Sequence, residues 1–530
     1  MKKFLLSACT LFVVTASVAQ LPGTQTWQQK LTPATEAKAI YRFAPVAVGT
    51  DGSVISTGTF DQPITIGATQ LENVATSAYL AKFNPAGQAV WAVALAGAAT
   101  ITSVDVDTEG NVFAAGTFAE SVVVGSVDGK TQNITGMPDV TTEVAAFMVK
   151  YDAAGNLKAV RTFVPKAKTD IEGYFYEAGG VFFRPGKIQA ANGRVYLSAY
   201  FTGDTKIDNV NWTGHYNGIP GVYYVEMSSA GILSFNAADL TDGKEVALLQ
   251  SKEMLEENGI PVEDVNFAVD GETVYASFVS SGLQMLTTPS SVTELPLTDK
   301  DGKKEHPFIL AAINADTKVK VFTTEAHDKL FTADRVKNMS VIGDKLYLAG
   351  TFYNKLGFNT EIVSQGGSDI FVACLSKGDF SVNWAKASGE NEGDMNKKQE
   401  VMTGMLVQKD KVFVTGYVED KGNRNIDANL SFNFSADGVA AAGDNGFVAS
   451  SDANSAVYAV MSINDKETTL SAYKLENETS VASINALSDE NGTIYGLDGK
   501  IVATDGNISA LPKGVYIVKT SSTARKFIVR

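Results

Sequence analysis

Short runs of alternating apolar and polar residues dominate the chain, and six of them share one pattern. Each run begins with Gly or Asp, continues with larger apolar residues at every second position, and ends in small and aromatic residues. Because side chains alternate between the two faces of a strand, this period of two predicts β-strands. The six copies are Gly52–Phe60, Gly110–Phe118, Gly193–Phe201, Gly271–Phe278, Asp344–Phe352 and Asp410–Tyr417.

A second apolar strand follows each copy, and several of these strands lead into a turn. The segments Asn84–Gly87 and Asp152–Gly155 contain the residue types that favour chain reversal. A third strand begins after the turn, with Trp91 and Trp384 at equivalent places, and Trp27 lies in a similar strand near the N-terminus. The predicted second strands are Ala78–Phe83, Ala146–Tyr151, Val222–Met227, Phe308–Ile313, Ile370–Leu375 and Ala456–Met461.

The repeat predicts an all-β protein in which residues 20–475 form a β-propeller. The first-strand copies recur 58 to 83 residues apart, so each unit carries long loops. Repeated units of several strands protect their sheet edges when they are arranged radially as blades. Six copies predict a six-bladed propeller, with the Trp27 strand completing the last blade. Thr468–Tyr473 resembles a further copy of the Trp-bearing strand, so a seven-bladed propeller is the alternative.

One segment departs from the strand pattern and predicts a short helix. Glu245–Asn258 precedes the fourth first-strand copy, and Gly259 and Pro261 would end the helix. We expect this helix to cap the edge of a blade. Its apolar positions are Val246, Leu248, Leu249, Met254 and Leu255.

Residues 1–19 are typical of a secretory signal peptide. Lys2 and Lys3 precede an apolar run over Phe4–Ala16, and Ser17–Ala19 places small residues before a cleavage site at Gln20. A lipoprotein-type cleavage at Leu6–Cys9 is the less favoured interpretation, because the apolar run continues past it. No other run has the roughly 18 apolar residues of a membrane-spanning helix, so we expect an exported protein without a transmembrane segment.

Composition narrows the possible partners. The net charge of −15 and the pI near 4.8 make nucleic acid an unfavoured partner, because binding phosphate groups requires a basic surface. Three His and two Cys argue against a metal enzyme built on those ligands. Cleavage of the signal peptide would leave Cys374 alone in an apolar strand pattern, where an inert buried thiol is expected.

The last part of the chain, residues 476–530, has a different character. Residues 481–530 contain six Lys or Arg against four Asp or Glu, a net charge of +2 in a chain that carries −15. Gly492–Val502 predicts a hairpin that turns at Asp498 and Gly499, and two more strands are predicted at Leu511–Val518 and Arg525–Arg530. These strands predict a small C-terminal β-sandwich.

The repeat resembles the propeller repeats of secreted bacterial proteins. Those units combine a Gly-Asn-Val-Tyr strand with a later Phe-Val-Ala-Lys strand, a turn and a Trp, and the best matches here are Ser103–Phe113 and Ala78–Trp91. This resemblance covers most of residues 40–475. The resemblance implies the propeller fold but not a function, because propellers serve as enzymes, sugar binders and scaffolds alike.

The C-terminal segment resembles the sorting domain of Bacteroidetes proteins that are exported by the type IX secretion system. This resemblance implies recognition by the export machinery, passage through the periplasm, and delivery to the cell surface or the medium. The matching residues are Ile494–Tyr495, Leu497–Lys500, Leu511–Val518 and the basic and apolar ending Lys526–Arg530.

Acidic residues at alternate positions suggest one candidate metal site. Asp105, Asp107 and Glu109 precede Gly110, as in calcium-binding loops, but the twelfth position is Gly116, where such a loop places Glu. A β-turn is therefore the preferred interpretation. The segment Asp299–Lys303 is a weaker match of the same kind.

Other candidate residues are aromatic or titratable. The tryptophans Trp27, Trp91 and Trp384 recur at one blade position and are expected in the core. Trp212 lies outside that register and is the better candidate for an exposed aromatic contact, together with the nearby Tyr216, Tyr223 and Tyr224. The three histidines lie in long inter-strand segments without metal-binding spacing, and they are His215, His306 and His327.

These patterns favour an exported, non-enzymatic binding or scaffold protein at the bacterial surface, with a surface protein or a glycan as ligand. No catalytic, cofactor-binding or metal-binding residue is assigned, because no catalytic motif stands out and no cofactor is implied. The alternative is a hydrolase or lyase that acts on a polysaccharide, with carboxylates gathered at the mouth of the propeller channel.

Overall fold

In the computed structural model of the chain, the regular secondary structure of the described residues consists of β-strands. The chain divides into two compact units, one of residues 25–473 and one of residues 22–24 and 474–530. The predicted signal peptide over residues 1–19, His306 and His327 lie outside the described residues. The structure describes residues 23–31, 45–137, 144–167, 176–177, 180–219, 221–251, 265–279, 284–295, 299–300, 303–304, 308–322, 335–358, 361–389, 398–408, 411–420, 426–441, 447–450, 457–463, 468–475, 493–496, 499–503, 511, 514–519 and 524–529.

The described residues of the first half of the chain form 22 strands. In chain order they are β1 (Thr24–Leu31), β2 (Val46–Val48), β3 (Val54–Phe60), β4 (Ile64–Ile66), β5 (Thr69–Leu71), β6 (Ser77–Phe83), β7 (Ala89–Ala96), β8 (Ala99–Val106), β9 (Val112–Phe118), β10 (Ser121–Gly125), β11 (Thr131–Thr135), β12 (Ala145–Tyr151), β13 (Leu157–Phe163), β14 (Tyr176–Glu177), β15 (Phe183–Ala191), β16 (Arg194–Phe201), β17 (Thr205–Ile207), β18 (Val210–Trp212), β19 (His215–Ile219), β20 (Tyr223–Met227), β21 (Ser229–Asn236) and β22 (Lys244–Ser251).

The second half contributes the remaining described strands. They are β23 (Val265–Asp270), β24 (Thr273–Val279), β25 (Gln284–Thr287), β26 (Val292–Leu295), β27 (Asp299–Lys300), β28 (Lys303–Lys304), β29 (Phe308–Ile313), β30 (Lys318–Phe322), β31 (Arg335–Ile342), β32 (Lys345–Gly357), β33 (Glu361–Ser376), β34 (Val382–Ala387), β35 (Lys398–Gln408), β36 (Lys411–Asp420), β37 (Ile426–Phe434), β38 (Val439–Ala441), β39 (Phe447–Ser450), β40 (Val457–Ile463), β41 (Thr468–Lys474), β42 (Thr493–Gly496), β43 (Ile501–Ala503), β44 (Gly514–Lys519) and β45 (Ala524–Val529).

Seven sheets of four or more strands follow one another along the described part of the larger unit. Sheets 2, 4, 5 and 6 have four strands each, in the orders β8-β9-β12-β13, β23-β24-β29-β30, β31-β32-β33-β34 and β35-β36-β37-β38. Sheets 1 and 3 have six, in the orders β2-β3-β6-β7-β10-β11 and β15-β16-β21-β22-β25-β26. Sheet 7 joins the two ends of this unit, in the order β39-β40-β41-β1.

The first strand of each sheet contacts the first strand of the next. This series runs from β2 through β8, β15, β23, β31 and β35 to β39, and β39 in turn contacts β2. Consecutive antiparallel sheets that meet through their first strands have the topology of a β-propeller. The predictions of an all-β protein and of a β-propeller fold are both confirmed by this strand order.

All six predicted first-strand copies occupy the same place in their sheets. They correspond to β3, β9, β16, β24, β32 and β36, and each is the second strand counted from the propeller centre. The prediction that these copies are structurally equivalent is therefore confirmed.

Two of the predicted partners of these strands are wrong. Arg194–Phe201 pairs with Ser229–Asn236, whereas the predicted partner Val222–Met227 overlaps β20 in a separate small sheet. Lys411–Asp420 pairs with Ile426–Phe434, and the predicted Ala456–Met461 overlaps β40 of sheet 7. The predicted segments and the actual partners are all apolar strands, and only the long-range pairing distinguishes them.

The predicted helix over Glu245–Asn258 is also wrong where the structure describes it. Lys244–Ser251 is the strand β22, which pairs with β21 on one side and β25 on the other. Ala247 and Leu249 are fully buried against the fourth sheet. Residues 252–258 lie outside the described residues.

In three sheets, a β-bulge in the first strand explains the glycine near the end of the second strand. In sheet 2 the extra residue is Thr102, beside the pair Ile101 and Gly116. A Cβ on Gly116 would lie 2.0 Å from the carbonyl oxygen of Thr100. Sheets 5 and 6 repeat the arrangement, with glycine opposite the residue before the bulge, at positions Gly350 and Gly416. Only glycine fits where the bulged backbone approaches so closely.

The core lies between successive sheets. In the contact between sheets 1 and 2, Trp91 stacks on Tyr151 at 6.0 Å and 30°, and its Nε1 donates to the Ala153 carbonyl at 3.1 Å. Between sheets 7 and 1, Trp27 stacks on Phe83 at 5.9 Å and 29°. Burying each such ring contributes about 1.5–3 kcal/mol.

The two ends of the sheets differ in their connections. In sheets 1 to 6, short turns join the first strand to the second and the third strand to the fourth. Antiparallel pairing places these turns at one end of the sheets, the short-turn end. The connections from second to third strands, and most of those between sheets, lie at the opposite, long-connection end. These long connections carry hairpins, of which β10–β11 extends sheet 1 and β25–β26 extends sheet 3.

The described residues of the smaller unit form one antiparallel sheet of four strands in the order β43-β42-β44-β45. The predicted hairpin is confirmed, since Ile494 pairs with Ala503 and Tyr495 with Ile501. Gly499 adopts a φ of 76°, and its N–H donates to the Gly496 carbonyl at 3.0 Å. The two further predicted strands correspond to β44 and β45.

Candidate functional site

Polar side chains on the first strands bind the backbone of the neighbouring sheet. The Ile188 N–H donates to Ser103 Oγ at 3.0 Å, and the Ala190 N–H donates to Asp105 Oδ2 at 2.7 Å. Thr102 Oγ1 donates to the Pro185 carbonyl at 3.1 Å. Side chains of sheet 2 thereby satisfy backbone groups on the edge of β15 that faces away from its partner β16.

Lys187 extends these contacts across three sheets. It lies in the bulge of β15, and its Nζ donates to the Phe267 carbonyl of sheet 4 at 2.6 Å and to the Met339 carbonyl of sheet 5 at 3.5 Å. Burial lowers the pKa of Lys187 to about 8, against the opposing effect of the Asp105 carboxylate. The ammonium group is therefore held at the centre of the propeller by main-chain oxygens.

Asn266 forms the next link in the same direction. Its Nδ2 donates to the Lys337 carbonyl at 2.6 Å, which ties β23 to the bulge of β31. Its Oδ1 is buried and has no hydrogen-bond partner among the described residues. This carbonyl oxygen can accept a hydrogen bond from a water molecule or from a ligand hydroxyl group.

An exposed arginine lies near the start of the same strand, toward the long-connection end. The Arg184 guanidinium lies 4.5 Å from the ring centroid of Phe182 and 5.7 Å from that of Tyr200. Its Nη1 donates to Tyr200 Oη at 3.0 Å. Arg184 and Tyr200 are directly opposite each other in the pairing of β15 with β16, which fixes this cluster on the sheet.

The candidate calcium loop is a turn that its own side chains stabilise. Asp107 Oδ1 accepts hydrogen bonds from the N–H groups of Glu109 and Asn111, each at 2.9 Å. Asp105 instead contacts the Ala190 N–H in the neighbouring sheet. The described ranges contain no group of three or more His, Cys, Asp or Glu side chains that could hold a metal ion. The Asp299–Lys303 segment contains the short strands β27 and β28, with residues 301–302 outside the described ranges.

The prediction that Trp212 is an exposed aromatic contact is wrong. Trp212 is 1% exposed, stacks on Phe201 at 4.7 Å and 14°, and donates from Nε1 to Glu245 Oε2 at 2.8 Å. Burial raises the pKa of that carboxyl group, and the indole hydrogen bond opposes the shift. Trp212 lies in the hairpin β17–β18, which packs against sheet 3. It lies outside the repeated tryptophan position because this hairpin is inserted between the second and third strands of the sheet. Tyr216, Tyr223, Tyr224 and His215 lie in the strands β19 and β20.

The remaining predicted residues lie in the core or beside it. Trp27 and Trp91 are buried, and Trp384 is half-buried against the cluster that contains Cys374. Cys374 is 1% exposed in β33, and Asn383 Nδ2 lies 3.8 Å from its Sγ. These positions agree with the expected packing roles of the three tryptophans and of the thiol.

The buried first-strand carboxylate of sheet 6 also serves the backbone. Glu400 Oε2 accepts hydrogen bonds from the Ile370 N–H at 3.1 Å and from Ser388 Oγ at 2.6 Å. Asp105 lies in sheet 2, so the structure assigns these two carboxylates to different sheets with separate partners.

Sequence reasoning missed Lys187, Asn266 and Arg184. A signal was present at the first of them, since Pro185 and Gly186 interrupt the alternation of β15 just before Lys187. Pro and Gly inside a strand mark a bulge, where a side chain is redirected. The other two residues carry no local signal, because their partners come from neighbouring strands.

Comparisons with known proteins find partial and distant similarities. No family model matches the chain. A stretch of 125 residues is 32% identical to an uncharacterised WD repeat-containing protein of Acanthamoeba polyphaga mimivirus, and the match spans 21% of this chain and 9% of the viral protein. The chain thus aligns with about a tenth of the length of that relative.

Several solved structures with low sequence identity are similar. A chain of the mitotic checkpoint complex matches with a TM-score of 0.39 and 10% identity, over 89% of this chain and 98% of that one. The Dos1 propeller gives 0.34 and 10%, over 87% and 96%, and the periplasmic gluconolactonase PpgL of Pseudomonas aeruginosa gives 0.33 and 11%, over 74% and 86%. The assignment of a β-propeller rests on the strand order itself.

Within the described segments, no helix has the length and the hydropathy of a membrane span.

Proposed function

We propose that the chain is an exported binding or scaffold protein without catalytic activity, built as a closed seven-bladed propeller with a C-terminal sorting module in a β-sandwich. Its ligand is a surface protein or a glycan, and the export machinery recognises the sorting module. The observation that carries the scaffold role is the use of polar first-strand side chains to bind the backbone of neighbouring sheets, as Ser103, Asp105 and Lys187 do.

Sheet 7 supports closure and the count of seven blades. It combines the N-terminal strand β1 with three strands from the end of the larger unit. Thr26 Oγ1 donates to the Ala472 carbonyl at 3.1 Å, across 446 residues of sequence. A propeller whose last blade takes one strand from the other end of the chain holds its ring together through backbone hydrogen bonds.

The long-connection end is the proposed binding surface. Loops carried on a rigid scaffold supply binding residues in many folds, because they tolerate variation without loss of the core. In this chain the hairpins β4–β5, β10–β11 and β25–β26 all arise from connections at that end, whereas the described connections at the opposite end are short turns.

The export role is tested by fractionating the producing cells. We expect the full chain at the cell surface or in the medium, where added protease cleaves it on intact cells. A variant that ends at Leu475 is expected to remain folded and to accumulate in the periplasm. A variant without residues 2–19 is the matched control and is expected to stay in the cytoplasm.

Two results would overturn this proposal. Unchanged surface localisation of the chain that ends at Leu475 would contradict a sorting role for the C-terminal unit. Export of the variant without residues 2–19 would contradict the signal peptide. Thermal unfolding of the purified truncated protein, followed by Trp fluorescence, shows whether the propeller is still folded, so a structural role of the tail is distinguished from sorting.

A further inference from the structure

Arg184 differs from the other arginines whose side chains the structure describes. Arg161 forms an ion pair with Asp208 at 2.8 Å, and Arg194 forms one with Asp242 at 2.9 Å. No carboxylate in the described part of the chain pairs with Arg184, which is exposed. An acidic protein of net charge −15 thus presents one guanidinium group without a described counter-ion near the long-connection end.

The neighbouring rings hold this guanidinium in place before any ligand binds. Phe182 and Tyr200 lie 5.2 Å apart in an edge-to-face arrangement, and Arg184 lies over both rings while it donates to Tyr200 Oη. One of its five N–H donors is used in that bond, which leaves donors for a planar acceptor. Such pre-organisation reduces the side-chain entropy that binding would otherwise cost.

The edge of β15 beside Arg184 is closed to an added peptide strand. Pro185 has no N–H, and its carbonyl already accepts the hydrogen bond of Thr102. Further along this edge, the N–H groups of Ile188 and Ala190 are bonded to Ser103 and Asp105. A peptide that binds by strand addition needs these groups free, so recognition here must use side chains.

We propose that Arg184, Phe182 and Tyr200 form a binding site for a uronate residue of an acidic polysaccharide. The guanidinium binds the sugar carboxylate through two parallel hydrogen bonds, and the partly exposed rings contact the C–H groups of the sugar ring. This proposal specifies the class of ligand that the binding surface described above would recognise, and it therefore rests on the proposed function.

The test uses the full-length mature protein and three uronate polymers, namely polygalacturonate, alginate and hyaluronan. Fully methyl-esterified polygalacturonate has the same backbone without the charge, and poly-L-glutamate has carboxylates without sugar. Affinities are measured by affinity electrophoresis and by titration calorimetry at 0.15 M salt. The variants are Arg184→Gln, Arg184→Lys and, as the control for charge, Lys318→Gln at the short-turn end, where Lys318 is exposed.

We expect the wild type to bind at least one uronate polymer and to bind the methyl ester much more weakly. Arg184→Gln should weaken that binding about 10- to 100-fold, since hydrogen bonds to a charged group are lost. Arg184→Lys should recover only part of it, because lysine cannot bind the carboxylate in the same fork geometry. Lys318→Gln should bind as the wild type does.

Four results would overturn the inference: no binding of any uronate polymer, equal binding of the methyl ester, equal binding by Arg184→Gln, or tighter binding of poly-L-glutamate. Each of these leaves the localisation experiment unaffected. Failure of the uronate site is therefore distinguishable from failure of the proposed export and scaffold function.

Discussion

The indole ring of Trp27 stacks on the phenyl ring of Phe83 with a centroid distance of 5.9 Å, and Trp91 stacks on Tyr151 at 6.0 Å in the same way. Trp27 belongs to β1 and Trp91 to β7, and each is in the fourth strand of its sheet. The N-terminal strand thus has in sheet 7 the structural role that an internal strand has in sheet 1.

Substitution of Trp27 tests that equivalence. Trp27→Ala should lower the free energy of unfolding by about 3–5 kcal/mol, because it removes a buried ring between two sheets. Trp91→Ala is the matched variant and should lower it by a similar amount. Urea unfolding followed by circular dichroism measures both. An unchanged midpoint for Trp27→Ala beside a lowered midpoint for Trp91→Ala would show that β1 does not support the propeller.

The bulge opposite Gly116 leads to a second prediction. Gly116→Ala places a Cβ 2.0 Å from the Thr100 carbonyl oxygen, so the strands must separate, and we expect a loss of about 1–3 kcal/mol or more. Gly378→Ala is the control, because a Cβ there meets no atom within 4 Å. The melting temperatures of the two variants are compared with that of the wild type. Equal melting temperatures for the two variants would mean that the bulged strand can shift to accept the Cβ without loss of stability.

The buried amine of Lys187 makes stability depend on pH in the alkaline range. Its folded pKa of about 8 lies below the ordinary lysine pKa of 10.5, so the unfolded chain binds more protons between these two pH values. Stability from this group therefore rises as pH increases from about 8 to 10.5. The whole effect is at most about 3 kcal/mol, and partial exposure of the side chain reduces it.

This pH dependence is measured as the difference between the wild type and Lys187→Met. We expect the wild type to gain stability relative to the variant between pH 8 and pH 10 in urea unfolding experiments. Lys318→Met, which changes an exposed lysine, should show no such trend. A constant difference across this range would contradict a lowered pKa at Lys187.

The Trp212 and Glu245 pair leads to a prediction at acidic pH. Burial raises the folded pKa of Glu245, so its ionised form is penalised above that pKa and the penalty disappears below the unfolded value. Glu245→Gln keeps an oxygen acceptor for the indole N–H and should raise the melting temperature at pH 7 but not at pH 4. The reverse pattern would show that the carboxylate charge itself stabilises the hairpin.

The six first-strand copies could be predicted from the sequence, because their shared pattern reflects one local environment that is repeated in each sheet. The Gly-Thr-Phe ending combines a glycine that admits the bulge with a phenylalanine that is buried, as at Gly116 and Phe118. Partners across the sheet were harder to predict. Tyr223–Met227 has the composition of a core strand but pairs in a small separate sheet, and only long-range register distinguishes it from β21.

The same limit explains the errors at single residues. Val246, Leu248 and Leu249 have a spacing that fits a helix, yet flanking strands on both sides of β22 impose an extended backbone. Trp212 was expected on the surface because it lies outside the repeat, whereas its hairpin folds back onto sheet 3. The cluster at Arg184 depends on Phe182 and Tyr200, which only strand pairing brings together.

Sheet 7 also sets the order in which the protein can complete its structure. The strand β1 cannot pair until β41 exists, and roughly 20 to 90 s of synthesis separate them at typical rates of chain growth. During this interval the strand β1 has no partner. Its pairing with β41 is a long-range contact, and such contacts form slowly. The propeller therefore reaches its final state only after nearly the whole chain has been synthesised, so sheets 1 to 6 exist for a time as an open array whose two end sheets are not yet joined.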